Sequence, residues 1–317
     1  MTQATPRIIA GAPGGINADG INVPGSAKAV ACGTIIAVAS GKGGVGKTWF
    51  AITLAHALAR RGRRVLLFDG DLGLANVDIQ LGLTPARDLG AVVAGQATMA
   101  EVTLRHPDGG FDIVAGRSGS GALSVLDPVA LERMLAALRD ATARYDVVLL
   151  DLGAGLDRSV RRMAAWADTL LVIATEEPTS LTDAYAVLKL HAADSAGGDG
   201  GGPGRGGAAP SGSDIAQGAA GRPASNRLHP ASTGDARIVV NQASSRPAGE
   251  RTYATLHRAC ERFLGRAPPL AGVIRRDDRV KDAIRRQTLL LTRHPSCPAA
   301  ADVEAAAESL NAPPGGP

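Results

Sequence analysis

Aromatic residues are scarce in this chain: Phe, Tyr and Trp together make up 3% of its 317 residues. A core must therefore be built from Val, Ile, Leu and Ala. Cysteine is scarcer still. Cys32, Cys260 and Cys297 lie far apart with no CxxC pair, which argues against a disulfide scaffold, a zinc ribbon or a thiolate-held iron–sulfur cluster. They read as free thiols in a reducing cytoplasm. Neither sign of charge dominates. The net charge is +4 and 45% of residues are hydrophobic, so wholesale disorder is excluded. No apolar run approaches the roughly 18 residues needed to span a membrane. Ala29–Ser40 imitates a signal-peptide core, but a glycine-rich loop follows it at once, as after a strand. The G-X-Y period of collagen is also missing. What is in excess is glycine, with 40 residues, and its position along the chain matters more than its number.

Residues 1–28 are rich in Gly, Pro, Ala and Asn and read as a disordered tail. An alternation of strands and helices then begins. Strands are expected at Thr34–Ala39, Arg64–Phe68, Phe111–Ala115, Asp146–Leu150 and Thr169–Ala174. Helices are expected at Thr48–Arg60, stopped by Arg61-Gly62, from Asp127-Pro128 to about Ala143, and at Thr179–Leu190. The stretch 193–235 is a Gly/Pro/Ala/Ser-rich insert and reads as flexible. Order resumes with a strand at Arg237–Val240, a helix at about Glu250–Phe263, a strand at Leu270–Ile274 and a helix at Asp277–Gln287. A weak Ala-rich helix follows at about Ala299–Leu310, and 311–317 form a tail. Strands on both sides of the insert imply one domain, 29–310. Its fold class is α/β, a mostly parallel, doubly wound sheet with helices on both faces.

The strongest local signal is Gly41-Lys42-Gly43-Gly44-Val45-Gly46-Lys47-Thr48, which satisfies G-x-x-x-x-G-K-[ST] between a strand and a helix. Such a loop wraps its backbone N–H groups around phosphate, at the positive end of the new helix. Lys47 would reach the β- and γ-phosphates and the Thr48 hydroxyl would ligate Mg²⁺. ATP and Mg²⁺ are the expected ligands. An acidic strand end, Val147-Val148-Leu149-Leu150-Asp151, reads as a Walker B strand whose carboxylate holds Mg²⁺ through water.

With Lys42 present, the loop resembles the deviant Walker A motif of the MinD/ParA ATPases. That resemblance implies a nucleotide-sandwich homodimer in which Lys42 crosses to the partner's phosphates. There it would supply charge as an arginine finger does. The stretch Asp69-Gly70-Asp71-Leu72-Gly73 resembles the family's switch region. By resemblance, Asp71 orients the attacking water while Asp69 supports the loop and the metal shell. Asn241, at a strand end, either closes a turn or, as in the family, pairs with the N6/N7 edge of adenine.

Three stretches are most similar to the flagellar number-and-placement branch (FlhG/FleN/YlxH-like). They are Asp69–Leu83, Asp151-Leu152-Gly153-Ala154-Gly155, where Gly153 replaces a proline, and Glu177-Pro178-Thr179-Ser180-Leu181-Thr182-Asp183-Ala184-Tyr185. The branch implies cytoplasmic work at the inner-membrane periphery or a cell pole. Its partners would be a flagellar signal-recognition-type GTPase or basal-body and transcription components. The chain departs from the pattern in places. Gln3-Ala4-Thr5-Pro6-Arg7 is only an echo of the GTPase-stimulating segment. Trp49 and Thr53 stand where asparagines are usual, and Arg275 where a proline is usual. Ala299–Leu310 carries Asp302, Glu304 and Glu308 with no Lys or Arg, so membrane binding by this tail is expected to be weak or absent.

Basic charge concentrates elsewhere, with about twelve Lys/Arg against about five Asp/Glu between Arg246 and Arg293. It is either a solvated face with i,i+4 pairs such as Asp277–Lys281 and Asp282–Arg286 or a patch for DNA, lipid or an acidic partner. The leading expectation is an ATP-hydrolysing dimerisation switch. The alternative is a ParA-like partitioning ATPase that binds DNA through this arginine-rich region.

Overall fold

A computed structural model describes residues 33–116, 127–196 and 235–311. The chain divides into two units, Met1–Ala31 and Cys32–Pro317, and all the described residues belong to the second. The expected tail 1–28, most of the insert 193–235 and all of the end segment but residue 311 lie outside the described residues.

The strands are β1 (Thr34–Ser40), β2 (Val65–Gly70), β3 (Thr103–Arg105), β4 (Asp112–Val114), β5 (Val147–Ala154), β6 (Thr169–Ala174), β7 (Asp235–Ala243) and β8 (Leu270–Arg275). They form one eight-stranded sheet in the order β3-β4-β2-β5-β1-β6-β7-β8. Every pairing is parallel except β3 with β4 at the edge. The helices are α1 (Lys47–Arg60), α2 (Val77–Leu81), α3 (Leu89–Val93), α4 (Met99–Val102), α5 (Pro128–Thr142) and α6 (Arg158–Trp166). After them come α7 (Pro178–Ala196), α8 (Arg246–Leu264), α9 (Asp278–Arg285), α10 (Leu290–Arg293) and α11 (Pro298–Asn311).

Central strands buried on both faces need apolar residues at every position rather than alternate ones, and β2 is buried throughout. Successive side chains serve opposite faces. On β1, Ile35, Ala37 and Ala39 join one core, beneath α5–α8, while Ile36 and Val38 join the other, beneath α1 and α11. Both cores are aliphatic, as the scarcity of aromatics requires, with Phe50, Phe68 and Phe111 fully enclosed.

The expected α/β class stands, with three sets of differences. First, the strands that bear the site run further than expected. β2 takes in Asp69, β5 takes in Asp151 and β7 takes in Asn241. Second, the structure adds the short elements α2, α3, α4, β3, α6 and α10 to the expected ones, and α7 continues to Ala196, past the expected break at 193. Third, the C-terminal helix is a core element. Ala299, Ala300, Val303 and Ala307 of α11 are buried in the same core as α1. Its acids are structural: Glu304 bonds Arg60 and Arg61, and Asp302, 2% exposed, accepts from Arg275 at 2.8 Å. The residue standing where the family has proline thus ties β8 to α11.

Candidate functional site

Parallel strands place their C-terminal ends along one edge, and ligands bind in the crevice there. The ends of β1, β2, β5 and β7 deliver the glycine-rich loop, Asp69, Asp151 and Asn241 to that crevice. The loop, residues 41–46, bridges β1 and α1, with the Ser40 hydroxyl donating to the Lys42 carbonyl at 2.9 Å. Gly46 sits at φ +84, and a Cβ there would lie 2.5 Å from Asn241 Nδ2. Only glycine satisfies both conditions. Asn241 Nδ2 donates to the Val45 carbonyl at 2.7 Å and Gln242 Nε2 to the Gly44 carbonyl at 3.3 Å. The end of β7 therefore clamps the loop. Oδ1 of Asn241 and its other amide hydrogen are what remain for a base edge.

The two lysines have different surroundings. Lys47, the first residue of α1, is 8% exposed and lies 3.4 Å from Asp151 Oδ1. Lys42 is 40% exposed and reaches out of the loop to Glu177 Oε2 at 2.5 Å and Thr179 Oγ1 at 3.1 Å. The Lys42 ammonium holds the Glu177 carboxyl below its ordinary range. Both partners lie at the start of α7, in the stretch whose sequence resembles the flagellar branch. A pairing across 135 residues leaves no local signal.

Asp151 is fully enclosed. Burial pushes its carboxyl up, against the pull of Lys47 and the Thr48 hydroxyl. Its second oxygen, Oδ2, is buried with no partner. An orphaned carboxylate oxygen beside a threonine hydroxyl fits the hard, oxygen-seeking Mg²⁺. Asp69 is occupied differently. Its Oδ1 accepts from the Asp71 amide at 3.2 Å, and its Oδ2 from the amides of Asn76 and Val77, both at 3.1 Å. It anchors the following loop, and three amides compete for the lone pairs that a metal would need. Burial, then the neighbouring Asp151, pushes its carboxyl up to about 7. Asp71 Oδ1 caps Leu74 N at 3.0 Å. It faces Gly153, where a Cβ would come within 3.3 Å of that oxygen.

A carboxyl whose folded pKa is raised stabilises below its unfolded pKa of 3.8 and loses that contribution as pH rises to about 7. Without nucleotide, Asp69 should therefore make stability rise as pH falls from 7 to 5. Asp69→Asn should flatten that share. Thermal melts of both proteins across this range check it, and parallel profiles would refute the assignment.

Half of the basic residues in the arginine-rich stretch, Arg246, Arg275, Arg279, Lys281, Arg286 and Arg293, are in ion pairs. Asp282 accepts from Arg286 at 3.0 Å, Arg293 at 2.6 Å and His294 at 2.9 Å, so its carboxyl is held far below the usual range. Lys281 pairs with Asp278 and Arg279 with Asp277, replacing the expected Asp277–Lys281 pair. Trp49 is buried in the α1 core and Thr53 bonds its carbonyl, so these departures serve packing.

Strand, glycine loop, helix and buried strand-end carboxylate define a P-loop nucleotide-binding protein of the doubly wound type, with a second loop lysine facing outward. Comparison gives the family. The chain belongs to the CobQ/CobB/MinD/ParA nucleotide binding domain family, whose model matches residues 36–290. It is 35% identical over 277 residues to the antiactivator FleN of Pseudomonas aeruginosa, covering 87% of this chain and 86% of that protein. It is 30% identical over 156 residues to the flagellum site-determining protein YlxH of Helicobacter pylori, covering 49% and 53%. In fold it is similar to the cell-division ATPase MinD of Pyrococcus furiosus, at a TM-score of 0.64 and 24% identity over 88% of this chain and 98% of that one. MinD of Pyrococcus horikoshii, solved with Mg-ADP, gives 0.64 and 22% over 88% and 96%. Among the described residues no helix is long and apolar enough to cross a membrane.

Proposed function

We propose that this chain is a Mg²⁺-dependent ATPase whose nucleotide state switches it between monomer and homodimer, and that the switch regulates flagellar number and placement. The observation that carries the reading is the division of labour between the lysines. Lys47 is enclosed beside Asp151, where it serves its own site. Lys42 is exposed and reaches away from the phosphate loop, where it can serve another.

Nucleotide phosphates entering the loop would draw Lys47 off Asp151 and free that carboxylate. Mg²⁺, when bound, neutralises charge developing on the phosphates, with Thr48 and Asp151 as the residues placed to hold it. Gly41, Lys42, Gly43, Gly44, Val45, Gly46, Lys47 and Thr48 form the phosphate cradle and Asn241 meets the base. Asp69 fixes the loop, so that Asp71 orients the attacking water toward the γ-phosphate. The flagellar reading rests on the likeness to FleN and YlxH. A transcription or basal-body component, or the flagellar signal-recognition-type GTPase, is then the natural partner. DNA partitioning is the weaker reading, because the likeness over most of the chain is to FleN and Arg275, Arg279, Arg286 and Arg293 of the basic stretch are held in ion pairs within the fold.

Sedimentation velocity tests the switch. The protein should be monomeric with Mg-ADP and dimeric with Mg-ATP, and phosphate release should accompany the dimer. A monomer in both nucleotides would overturn the sandwich. Unchanged flagellar counts after deletion would remove the flagellar role and leave the ATPase standing.

A further inference from the structure

We propose that Gln287 is a positioning residue that joins the switch segment, residues 71–82, to the C-terminal unit α9–α10, and so holds Asp71 in register through α2. The inference rests on the ATPase reading above. α9 ends in a Schellman-type turn: Gln287 N bonds the Ile284 carbonyl at 3.0 Å and Thr288 N bonds the Ala283 carbonyl at 3.0 Å. The turn requires a left-handed residue where glycine is favoured, yet Gln287 occupies it at φ +51. Its side chain crosses to α2, where Nε2 donates to the Ile79 carbonyl at 2.8 Å. That carbonyl, in the last turn of α2, also accepts from the Gly82 amide at 3.3 Å, so Gln287 adds a second donor where the helix ends.

The opposing surface is shaped to receive it. Gly82 follows α2 at φ +65, and a Cβ there would lie 2.8 Å from Gln287 Oε1. Two left-handed residues thus face each other across one amide. The switch segment is consequently held at its start by the Asp69 carboxylate at the Asp71 amide, at its middle by the same carboxylate at Asn76 and Val77, and beyond them by Gln287 at Ile79. Along this segment the side chains of Leu74 and Ile79 are exposed. On the far side Asp282 cross-links Arg286 of the α9 cap to Arg293 and His294, so α9 and α10 move together. Displacing this unit would pull on α2, and through α2 on the loop that carries Asp71.

Gln287→Gly separates this role from folding. Glycine suits the left-handed position, so the melting temperature should hold or rise while the bond to Ile79 is lost. Gln287→Asn tolerates the same backbone but is one methylene too short. In both variants, hydrogen exchange at Gly82 and Leu83 should quicken roughly threefold to tenfold, as for one lost hydrogen bond. The kcat for ATP should fall severalfold with KM unchanged, because the phosphate loop is untouched. Wild-type exchange in residues 77–83 would overturn the joint, and quickened exchange with unaltered kcat would overturn its positioning role. If the wild type released no phosphate, the ATPase reading would fail, and exchange would still decide whether the joint exists.

Discussion

Lys47→Ala should weaken ATP binding roughly 100-fold, the effect of losing a charge-assisted bond in a dry site, and should also lower the stability of the empty protein. The second effect follows from Asp151. Its carboxylate is 1% exposed and Lys47 is the cation beside it. Removing one member of a buried pair costs about 3–5 kcal/mol when the other stays charged. Asp151 has an escape, however: burial already raises its pKa, and without Lys47 the pKa rises further. A raised carboxyl stabilises at low pH and loses that contribution as pH increases. The melting temperature of Lys47→Ala should therefore fall well below wild type at pH 8 and approach it near pH 5.5. Melts at the two pH values, with titration of a fluorescent ATP analogue, check both halves. An equal deficit at both pH values would mean that Asp151 stays charged without Lys47.

The centre of the site was legible in the sequence because its signals are local. Eight consecutive residues, 41–48, specify the phosphate loop, and four apolar residues ahead of Asp151 specify a buried parallel strand. Misplaced ends of β2, β5 and β7 have one cause: a carboxylate or amide at a strand end reads as the first loop residue, although pairing carries the strand past it. What escaped is non-local. Lys42 meets Glu177 across 135 residues and Gln287 meets Ile79 across 208, and periodicity carries no trace of either. The helix α11 looked weak because its apolar face is mostly alanine. Its stability comes from fitting alanines closely against α1 and from acids matched to Arg60, Arg61 and Arg275. The segment 77–105 escaped because α2, α3 and α4 are each a single turn or little more. They rely on caps such as the reciprocal Thr98–Glu101 box and on burial of Leu89, Met99 and Val102.

Lys42→Ala should leave ATP binding within a few-fold of wild type and abolish both ATP-driven dimerisation and hydrolysis. The loss of rate should be roughly 10³-fold or more, by analogy with an arginine finger supplied in trans. The contrast with Lys47 follows from exposure: the side chain of Lys42 points to Glu177 and Thr179, away from its own Asp151. For it to act across an interface, the bonds to Glu177 and Thr179 must first break. If the proposed switch operates, these bonds would act as a latch on the monomer, and Glu177→Gln should loosen it. Both groups are substantially exposed, 40% and 65%, so water screens the pair. Glu177→Gln should therefore raise dimerisation at limiting ATP only severalfold and leave the maximal rate nearly unchanged. Sedimentation velocity over an ATP series, with phosphate release measured on the same samples, separates the effects. If Lys42→Ala dimerises and hydrolyses as wild type does, its charge acts at neither phosphate site. If Glu177→Gln dimerises less readily, the carboxylate belongs to the interface itself, and the contact to Lys42 is a step toward the dimer rather than a restraint upon it.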